Sequence, residues 1–290
     1  RRLARNHILG PHGIGHRRLS GVSALDIEAM LHRLVELDGR THDTARRVGQ
    51  VARLMIKAAE RDRIVPAGTA AAVEVPAQHP RDSQPRLSPG EVAKVLDTIL
   101  ADCALPEPPA AALPALLMVS LGIRRGEACG VAWSSLDLAS ETPTLAVQRS
   151  VTEASGRLVV NAPKSAASRR VLPLSPELVA VLGSARKAEP FRQWVGGPGG
   201  SAPQRPDALT KYMAGVAERT GIPAASATHA YRRGVTDRLL AAGADVLLVS
   251  RFLGHGDGGR LVGRVYAGDQ RDRVLAAGEL LAFRPRDEAV

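Results

Sequence analysis

Residues 228–233 read Thr-His-Ala-Tyr-Arg-Arg, and this stretch decides how the segments on either side of it are interpreted. It opens a segment with helical periodicity, which predicts a helix over 229–242. Because His229 and Arg232 are three residues apart, they share one face of that helix. An imidazole and a guanidinium side by side are hydrogen-bond donors that suit a phosphate group. The stretch therefore places a candidate anion-binding pair on a helix.

Two more segments with related chemistry precede this helix. In Leu-Gly-Ile-Arg-Arg-Gly-Glu (121–127), Arg124 follows the end of an apolar helix and Glu127 comes three residues later. A lone arginine and glutamate at this spacing usually form a structural ion pair. Lys164 lies in Pro-Lys-Ser, between a predicted hairpin and the strand after it, where a lysine is normally only solvated. Each segment by itself is therefore a weak signal.

A histidine and a tyrosine complete the series downstream. His255 ends Leu-Gly-His, and Tyr266 follows it by eleven residues in Val-Tyr-Ala. Six of the eight histidines precede residue 80, so His229 and His255 alone fall in the second half, both inside the series. Phosphodiester cleavage by a side chain needs a nucleophile, donors around the phosphate and an acid for the leaving oxygen. The second half of the chain supplies all of these in order.

In their order and spacing these segments resemble the tyrosine recombinase (phage integrase) family, over residues from about 8 to about 283. The resemblance implies that Tyr266 is the nucleophile, which attacks a backbone phosphorus to give a 3′-phosphotyrosine link and a free 5′-hydroxyl. It implies that Lys164 is the general acid that protonates the 5′-oxygen. The donors to the non-bridging oxygens would be Arg124, Arg232 and His255.

The resemblance also implies supporting roles and shows some departures. His229 would help to deprotonate the nucleophile or hold the phosphate, and Glu127 would support its neighbours. Ala230 stands where the family usually has aspartate, and Arg233 where a second histidine is common. Both changes are expected to alter local packing without removing a catalytic group. The spacing between the second histidine and the tyrosine is also slightly longer than usual.

The fold expected from pattern and resemblance is mainly α with a small antiparallel β-sheet, in a two-domain tyrosine recombinase architecture. Strands are predicted at 144–151 and 157–160, joined as a hairpin, and at 171–174. Helices are predicted around this sheet at 88–102, 111–121, 125–133, 175–188, 206–220, 229–242, 245–253 and 271–282.

A proline-rich stretch divides the chain. We predict a helical core DNA-binding domain over 1–64, a linker over 65–86 and a catalytic domain over 87–290. The first domain is expected to be truncated at its N-terminus, because the chain opens at Arg1 without a preceding helix. Met30 and Leu34 would then be exposed, since they normally pack on the missing element.

Charge and composition indicate the partner. Lys and Arg number 39 against 29 Asp and Glu, which gives a net charge of +10 and favours a polyanion such as nucleic acid. Aromatic residues make up only 3%, which argues against single-strand binding by base stacking. The N-terminal domain contains a predicted amphipathic helix at roughly 42–60, and its basic face is either solvated or lies against a DNA backbone. The candidate DNA-binding residues are Arg46, Arg47, Arg53, Lys57, Arg169 and Arg170.

The resemblance implies double-stranded DNA with a specific recombination site as the partner, a homotetramer on DNA, and possible accessory DNA-bending or directionality factors. No metal site and no cofactor are expected, because neither a carboxylate cluster nor Cys/His metal spacing occurs. No apolar run is long enough to span a membrane, and a cytoplasmic, nucleoid-associated protein is expected. Two alternatives stay open: a type IB topoisomerase-like enzyme that relaxes DNA, and a non-catalytic DNA-binding remnant of an integrase.

Overall fold

The computed structural model describes residues 3–77, 86–154, 156–162 and 168–254. Lys164, His255, Tyr266 and the helix predicted over 271–282 lie outside the described residues. The chain forms two compact units, Arg1–Asp82 and Ser83–Val290.

The N-terminal unit is helical. A short helical turn at Ala4–Ile8 precedes helices α1 (Ala24–Glu36), α2 (His42–Arg61) and α3 (Thr69–Ala72). Ser23 begins α1 with a capping box, in which its hydroxyl accepts from the Asp26 amide and Asp26 accepts from the Ser23 amide. This cap fixes where α1 starts. The apolar faces of α1 and α2 form one core.

Two expectations about this unit are wrong. Met30 and Leu34 are buried rather than exposed, because Ile8 and Ile14, which precede α1, belong to the same core. The first part of the predicted linker is folded as well. Val65 and Val73 are buried in that core, and the Ala70 amide of α3 donates to a carboxylate oxygen of Glu60 at 2.7 Å. Small apolar residues between the prolines explain why this part packs.

The C-terminal unit is built around a buried helix. Helix α5 (Ala112–Leu121) has almost no exposed surface on any face, as expected for a helix that is apolar all round. Helices α4 (Pro89–Cys103), α8 (Pro206–Thr220) and α9 (Thr228–Ala241) pack against it. The other α-helices in the described part of this unit are α6 (Arg125–Cys129), α7 (Pro176–Ala188) and α10 (Val246–Leu253).

Helix α6 is shorter than the predicted 125–133. After Cys129 the backbone leaves the helix and pairs with a distant segment instead. The Val195 amide donates to the Val131 carbonyl at 3.0 Å, and the Trp133 amide donates to the Gln193 carbonyl at 3.0 Å. Tertiary pairing of the backbone thus overrides the helical propensity of this stretch.

The β-structure forms two small antiparallel sheets. Strand β2 (Thr144–Val147) lies between β1 (Leu136–Asp137) and β5 (Arg170–Pro173). Strand β3 (Ser150–Ala154) pairs only with β4 (Arg157–Asn161) among the described strands. The single strand predicted over 144–151 is therefore two strands, separated at 148–149 and belonging to different sheets. The fold class itself is as predicted, mainly α with small antiparallel sheets.

Candidate active site

A glycine brings the first arginine segment against the helix that begins at Thr228. Gly122 ends α5 with a left-handed φ of +63°. A Cβ at this position would lie 3.0 Å from the Cβ of Val235 and 3.3 Å from the Cα of Arg232, both on α9. Only a residue without a side chain permits this approach, which places Arg124 near Arg232.

Arg124 and Glu127 form the ion pair that their spacing favours. The guanidinium Nη1 of Arg124 donates to Oε1 of Glu127 at 2.8 Å, and the Arg124 amide donates to Oε2 at 2.9 Å. The side chain of Arg124 is 39% exposed, whereas that of Glu127 is 4% exposed. The carboxylate therefore lies beneath the arginine and leaves one side of the guanidinium open to solvent.

Arg170 was expected to contact DNA, and the structure corrects this prediction. Its side chain is 6% exposed, and its Nη2 donates to Oε2 of Glu127 at 2.9 Å. Burial by itself raises the pKa of Glu127, but the hydrogen bonds and charges of Arg170 and Arg124 outweigh it and keep that pKa below its usual value. Glu127 is thus a buried anion held between two guanidinium groups.

The end of α10 collects three arginines. The carbonyl oxygens of residues 252, 253 and 254 each accept from a different guanidinium: Nε of Arg170 at 2.7 Å, Nη2 of Arg232, and Nη2 of Arg124 at 3.2 Å, respectively. The last carbonyls of a helix lack partners within the helix and carry partial negative charge. This explains why cations converge there. The chain leaves the cluster at Gly254, directly before His255.

Arg232 and His229 occupy the same face of α9, as their spacing predicts. Arg232 is 8% exposed, and burial followed by the charge of Arg124 lowers its pKa to about 9, so it stays charged at neutral pH. His229 is more open to solvent. Partial burial of the ring lowers its pKa below 6.5, and the charges of Arg232, Arg233, Arg124 and Arg125 lower it further. The imidazole is therefore mainly neutral at neutral pH and can accept a proton.

Ala230 and Tyr231 belong to the core, and Tyr212 packs against it. Ala230 and Tyr231 are buried, and the Tyr231 hydroxyl donates to the Ala225 carbonyl at 2.7 Å. The Tyr212 hydroxyl donates to Asp102 at 2.5 Å, on the face where α4 and α8 meet. Burial raises the pKa of both phenols. Neither tyrosine has the environment of an activated nucleophile.

The phage integrase family model matches residues 86–271, which is more than half of the chain. The chain belongs to the phage integrase family. Comparison with curated protein sequences gave no match.

Solved integrase structures share the fold of this integrase. The Tn1549 transposon integrase in complex with a circular intermediate DNA superposes with a TM-score of 0.78 at 16% identity, covering 97% of this chain and 92% of that one. A lambda integrase tetramer bound to a Holliday junction gives 0.56 at 15% identity, covering 83% of this chain and 66% of that one. A lambda integrase dimer bound to a core site gives 0.55 at 15% identity, over 82% and 80%.

The other basic residues predicted to bind DNA differ in exposure and in whether their side chains are already bonded within the protein. On α2 of this integrase, Arg46 and Arg47 both pair with Asp43, at 3.2 Å and 3.0 Å. Arg53 donates to the Val73 carbonyl. Lys57 and Arg169 lie exposed. Arg53 is exposed as well, but its guanidinium is bonded to the Val73 carbonyl, so Arg47, Lys57 and Arg169 are the members of the set that best suit contact with a polyanion.

Two features are absent from the part of the chain that the structure describes. No group of three or more His, Cys, Asp or Glu side chains there could hold a metal ion. No helix in the described part of the chain is long and apolar enough to cross a membrane.

The burial of Arg170 could have been found in the sequence of this integrase. Side chains alternate across a strand, so residues 170, 172 and 174 point to one side of β5 and its continuation. Leu172 and Leu174 are apolar and buried. The register of the strand therefore places Arg170 on the inner face and Arg169 on the outer face.

Proposed function

We propose that this chain is a site-specific DNA recombinase that breaks and rejoins strands through a covalent 3′-phosphotyrosine intermediate. The observation that carries the proposal is that Arg124 and Arg232 both bond to the end of α10, immediately before His255, while His229 lies close enough to these two arginines for their charges to lower its pKa. These are the residues that the family resemblance assigns to the phosphate. Arg124 precedes α6, whereas His229 and Arg232 both lie on α9, so the set combines two segments that are distant in sequence.

The cluster has the charge that phosphoryl transfer needs. Arg124, Arg170 and Arg232 bring three positive charges against the single carboxylate of Glu127. Negative charge builds up on the non-bridging oxygens as a nucleophile attacks phosphorus, and preorganised donors stabilise that charge most effectively. Arg124 has the most exposed guanidinium of the three, so we assign it the direct contact with the phosphate.

The proposed reaction is a transesterification at phosphorus. The phenolic oxygen of Tyr266 bonds to phosphorus and loses its proton, which His229 accepts through its neutral ring. The bond between phosphorus and the 5′-oxygen breaks, and Lys164 protonates that oxygen. The phosphotyrosine ester conserves the energy of the broken bond, so the reverse reaction can join a new 5′-hydroxyl. We propose that the reaction therefore uses neither ATP nor a metal ion.

We propose double-stranded DNA carrying a specific recombination site as the substrate. The Tn1549 integrase structure contains a circular intermediate DNA, and the lambda integrase tetramer is bound to a Holliday junction. By analogy we propose that strand exchange occurs in a homotetramer on DNA, with accessory DNA-bending or directionality factors as possible partners. A soluble cytoplasmic location at the nucleoid would follow from this activity.

The test is capture of a covalent complex. A pool of nicked duplexes with random sequence is incubated with the protein, and adducts that resist SDS are isolated and sequenced. The attached peptide is identified by mass spectrometry, and the proposal requires Tyr266. Selected sites are then placed on two duplexes. Strand exchange supports a recombinase, relaxation of supercoiled DNA without exchange supports a topoisomerase-like enzyme, and binding without any adduct supports a non-catalytic remnant.

A further inference from the structure

Arg170 is a buried cation that joins three segments of the candidate active site. It bonds to Glu127 of α6, donates from Nη1 to the Ser168 carbonyl at 3.1 Å, and donates from Nε to the Phe252 carbonyl of α10 at 2.7 Å. Ser168 follows the segment that contains Lys164, and Phe252 lies three residues before His255. One side chain therefore connects the parts of the chain that carry the arginine, lysine and histidine motifs.

The burial of Arg170 is difficult to explain by stability alone. Removing a guanidinium from water is costly, and a buried ion pair can often be replaced by apolar residues with no loss of stability. Its neighbour Arg169, which precedes β5 and faces the outer side, is exposed. Unlike an apolar side chain, the planar guanidinium of an arginine can bond to several acceptors and hold them in a fixed geometry.

We propose that Arg170 is a positioning residue, which fixes Glu127 and the end of α10 and thereby orients Arg124 and the backbone that leads to His255. The inference rests on the proposed function, because orientation matters only if these groups act on a phosphate. Arg170 itself contacts no DNA in this proposal, in contrast to the expectation from sequence.

The hydrogen bonds of Glu127 show how the loss of Arg170 would affect Arg124. Oε1 of Glu127 accepts from the Arg124 guanidinium, while Oε2 accepts from Arg170 at 2.9 Å. Without the Arg170 fork, Oε2 keeps only the bond from the Arg124 amide of the two described above, so the carboxylate is held less firmly and the Arg124 guanidinium has a less fixed partner. The Phe252 carbonyl adjoins the carbonyls of Leu253 and Gly254, which hold Arg232 and Arg124. Loss of one bond at the helix end therefore loosens the others.

The first experiment compares Arg170→Lys with Arg219→Lys. Lysine keeps the charge but cannot span the three acceptors of Arg170. Arg219 makes a comparable fork, with Asp102 at 2.6 Å and 2.8 Å, and Asp102 is otherwise bonded to Tyr212, away from the arginine cluster.

Single-turnover adduct formation at saturating DNA is measured on a duplex selected as above. We expect R170K to be slower by about 100-fold, as misplacement of reacting groups typically costs, with unchanged DNA affinity. We expect R219K to cleave like the wild type.

A second measurement does not depend on cleavage. In the DNA-free protein, ¹⁵N relaxation of the arginine Nε–H groups reports the order of the Arg124 side chain. We expect Arg124 to become mobile in R170K and to stay ordered in R219K. If R170K fails to fold, Glu127→Gln serves instead, because it keeps the size of the side chain and weakens both pairs.

The outcomes separate the two proposals. If the wild type forms no adduct, the proposed function fails, while the relaxation data still decide the positioning role. If the wild type cleaves and R170K cleaves equally fast, the positioning role is overturned. It is also overturned if Arg124 stays ordered in R170K, or in E127Q where that variant replaces it, or if the lower rate of R170K comes with an equal loss of DNA affinity.

Discussion

The guanidinium of Arg232 links the carbonyl oxygen of Gly122 to that of Leu253, so helix α9 holds the end of α5 and the end of α10 together. Arg124 follows the first of these positions by two residues, and His255 follows the second by two residues. Arg232 therefore has two functions in one side chain. In the proposed mechanism it carries positive charge for the phosphate, and it fixes the backbone from which Arg124 and His255, the two other proposed phosphate-binding residues, extend.

Arg124 is partly exposed, whereas Arg232 is buried and bonds to two backbone carbonyls. Alanine should therefore have different effects at the two positions. Arg124→Ala removes one exposed donor and leaves Glu127 paired with Arg170. We expect the cleavage rate to fall by roughly 10²–10³ and the salt dependence of DNA binding to weaken by about one unit of slope. The melting temperature should change little. If DNA affinity and cleavage rate fell by the same factor, Arg124 would contribute to DNA binding and not specifically to catalysis.

Arg232→Ala should lower both rate and stability. It leaves the buried carbonyls of Gly122 and Leu253 without a donor, and each unsatisfied group costs about 1–3 kcal/mol. We expect a clear loss of unfolding free energy in urea, in addition to loss of cleavage. An R232A protein as stable as R124A would contradict the bonding described for Arg232.

Gly254 offers a prediction with a closely matched control. Gly254 and Gly221 both end helices with φ of +69°, where alanine costs roughly 1–2 kcal/mol. A Cβ at Gly254 would lie 2.8 Å from Nη1 of Arg170, whereas a Cβ at Gly221 meets nothing within 4 Å. Both variants should lose similar stability from backbone strain, but only Gly254→Ala should slow cleavage strongly. Equal cleavage rates for the two variants would show that displacement of Arg170 does not matter.

The sequence predicted what depends on local pattern. The shared face of His229 and Arg232 and the pairing of Arg124 with Glu127 both follow from spacing within a few residues. Spacing could not show that Glu127 also binds Arg170, because that contact depends on how β5 packs against α6. The break between β2 and β3 likewise depends on strand partners that are distant in sequence. The identity of the nucleophile rests on the resemblance alone.

The environment of His229 predicts a pH dependence. Its pKa is lowered below 6.5 by partial burial and by neighbouring arginines, so the folded state binds the proton less readily than the unfolded state. Stability from this group is therefore full above 6.5 and falls as the pH drops through the folded pKa. Cleavage should fall over the same range, because an imidazolium cannot accept the phenolic proton.

A titration of the His229 ring by NMR should give a pKa below 6.5, and Arg233→Gln should move that pKa upward. A value at or above 6.5 in the DNA-free protein would contradict this account.

Metal independence is directly testable. The arginines of the cluster supply the positive charge that a metal ion would otherwise provide to the phosphate. We expect adduct formation on the selected duplex to proceed at an unchanged rate in excess chelator. Loss of cleavage in chelator, with recovery on addition of Mg²⁺, would indicate a metal-dependent nuclease instead.

The assignment of the nucleophile can be tested against another tyrosine of the same chain. Tyr266→Phe removes only the phenolic oxygen, so it should abolish covalent adduct formation and leave DNA affinity within a factor of about two, because the phosphate contacts that dominate affinity remain. Tyr212→Phe is the control. It removes an equivalent hydroxyl, one that donates to Asp102 in the core, and should lower stability without preventing the adduct. Affinity is measured by fluorescence anisotropy and the adduct by gel shift in SDS. An adduct that persists in Y266F, or one that maps to another residue in the wild type, would show that the resemblance has led to the wrong tyrosine.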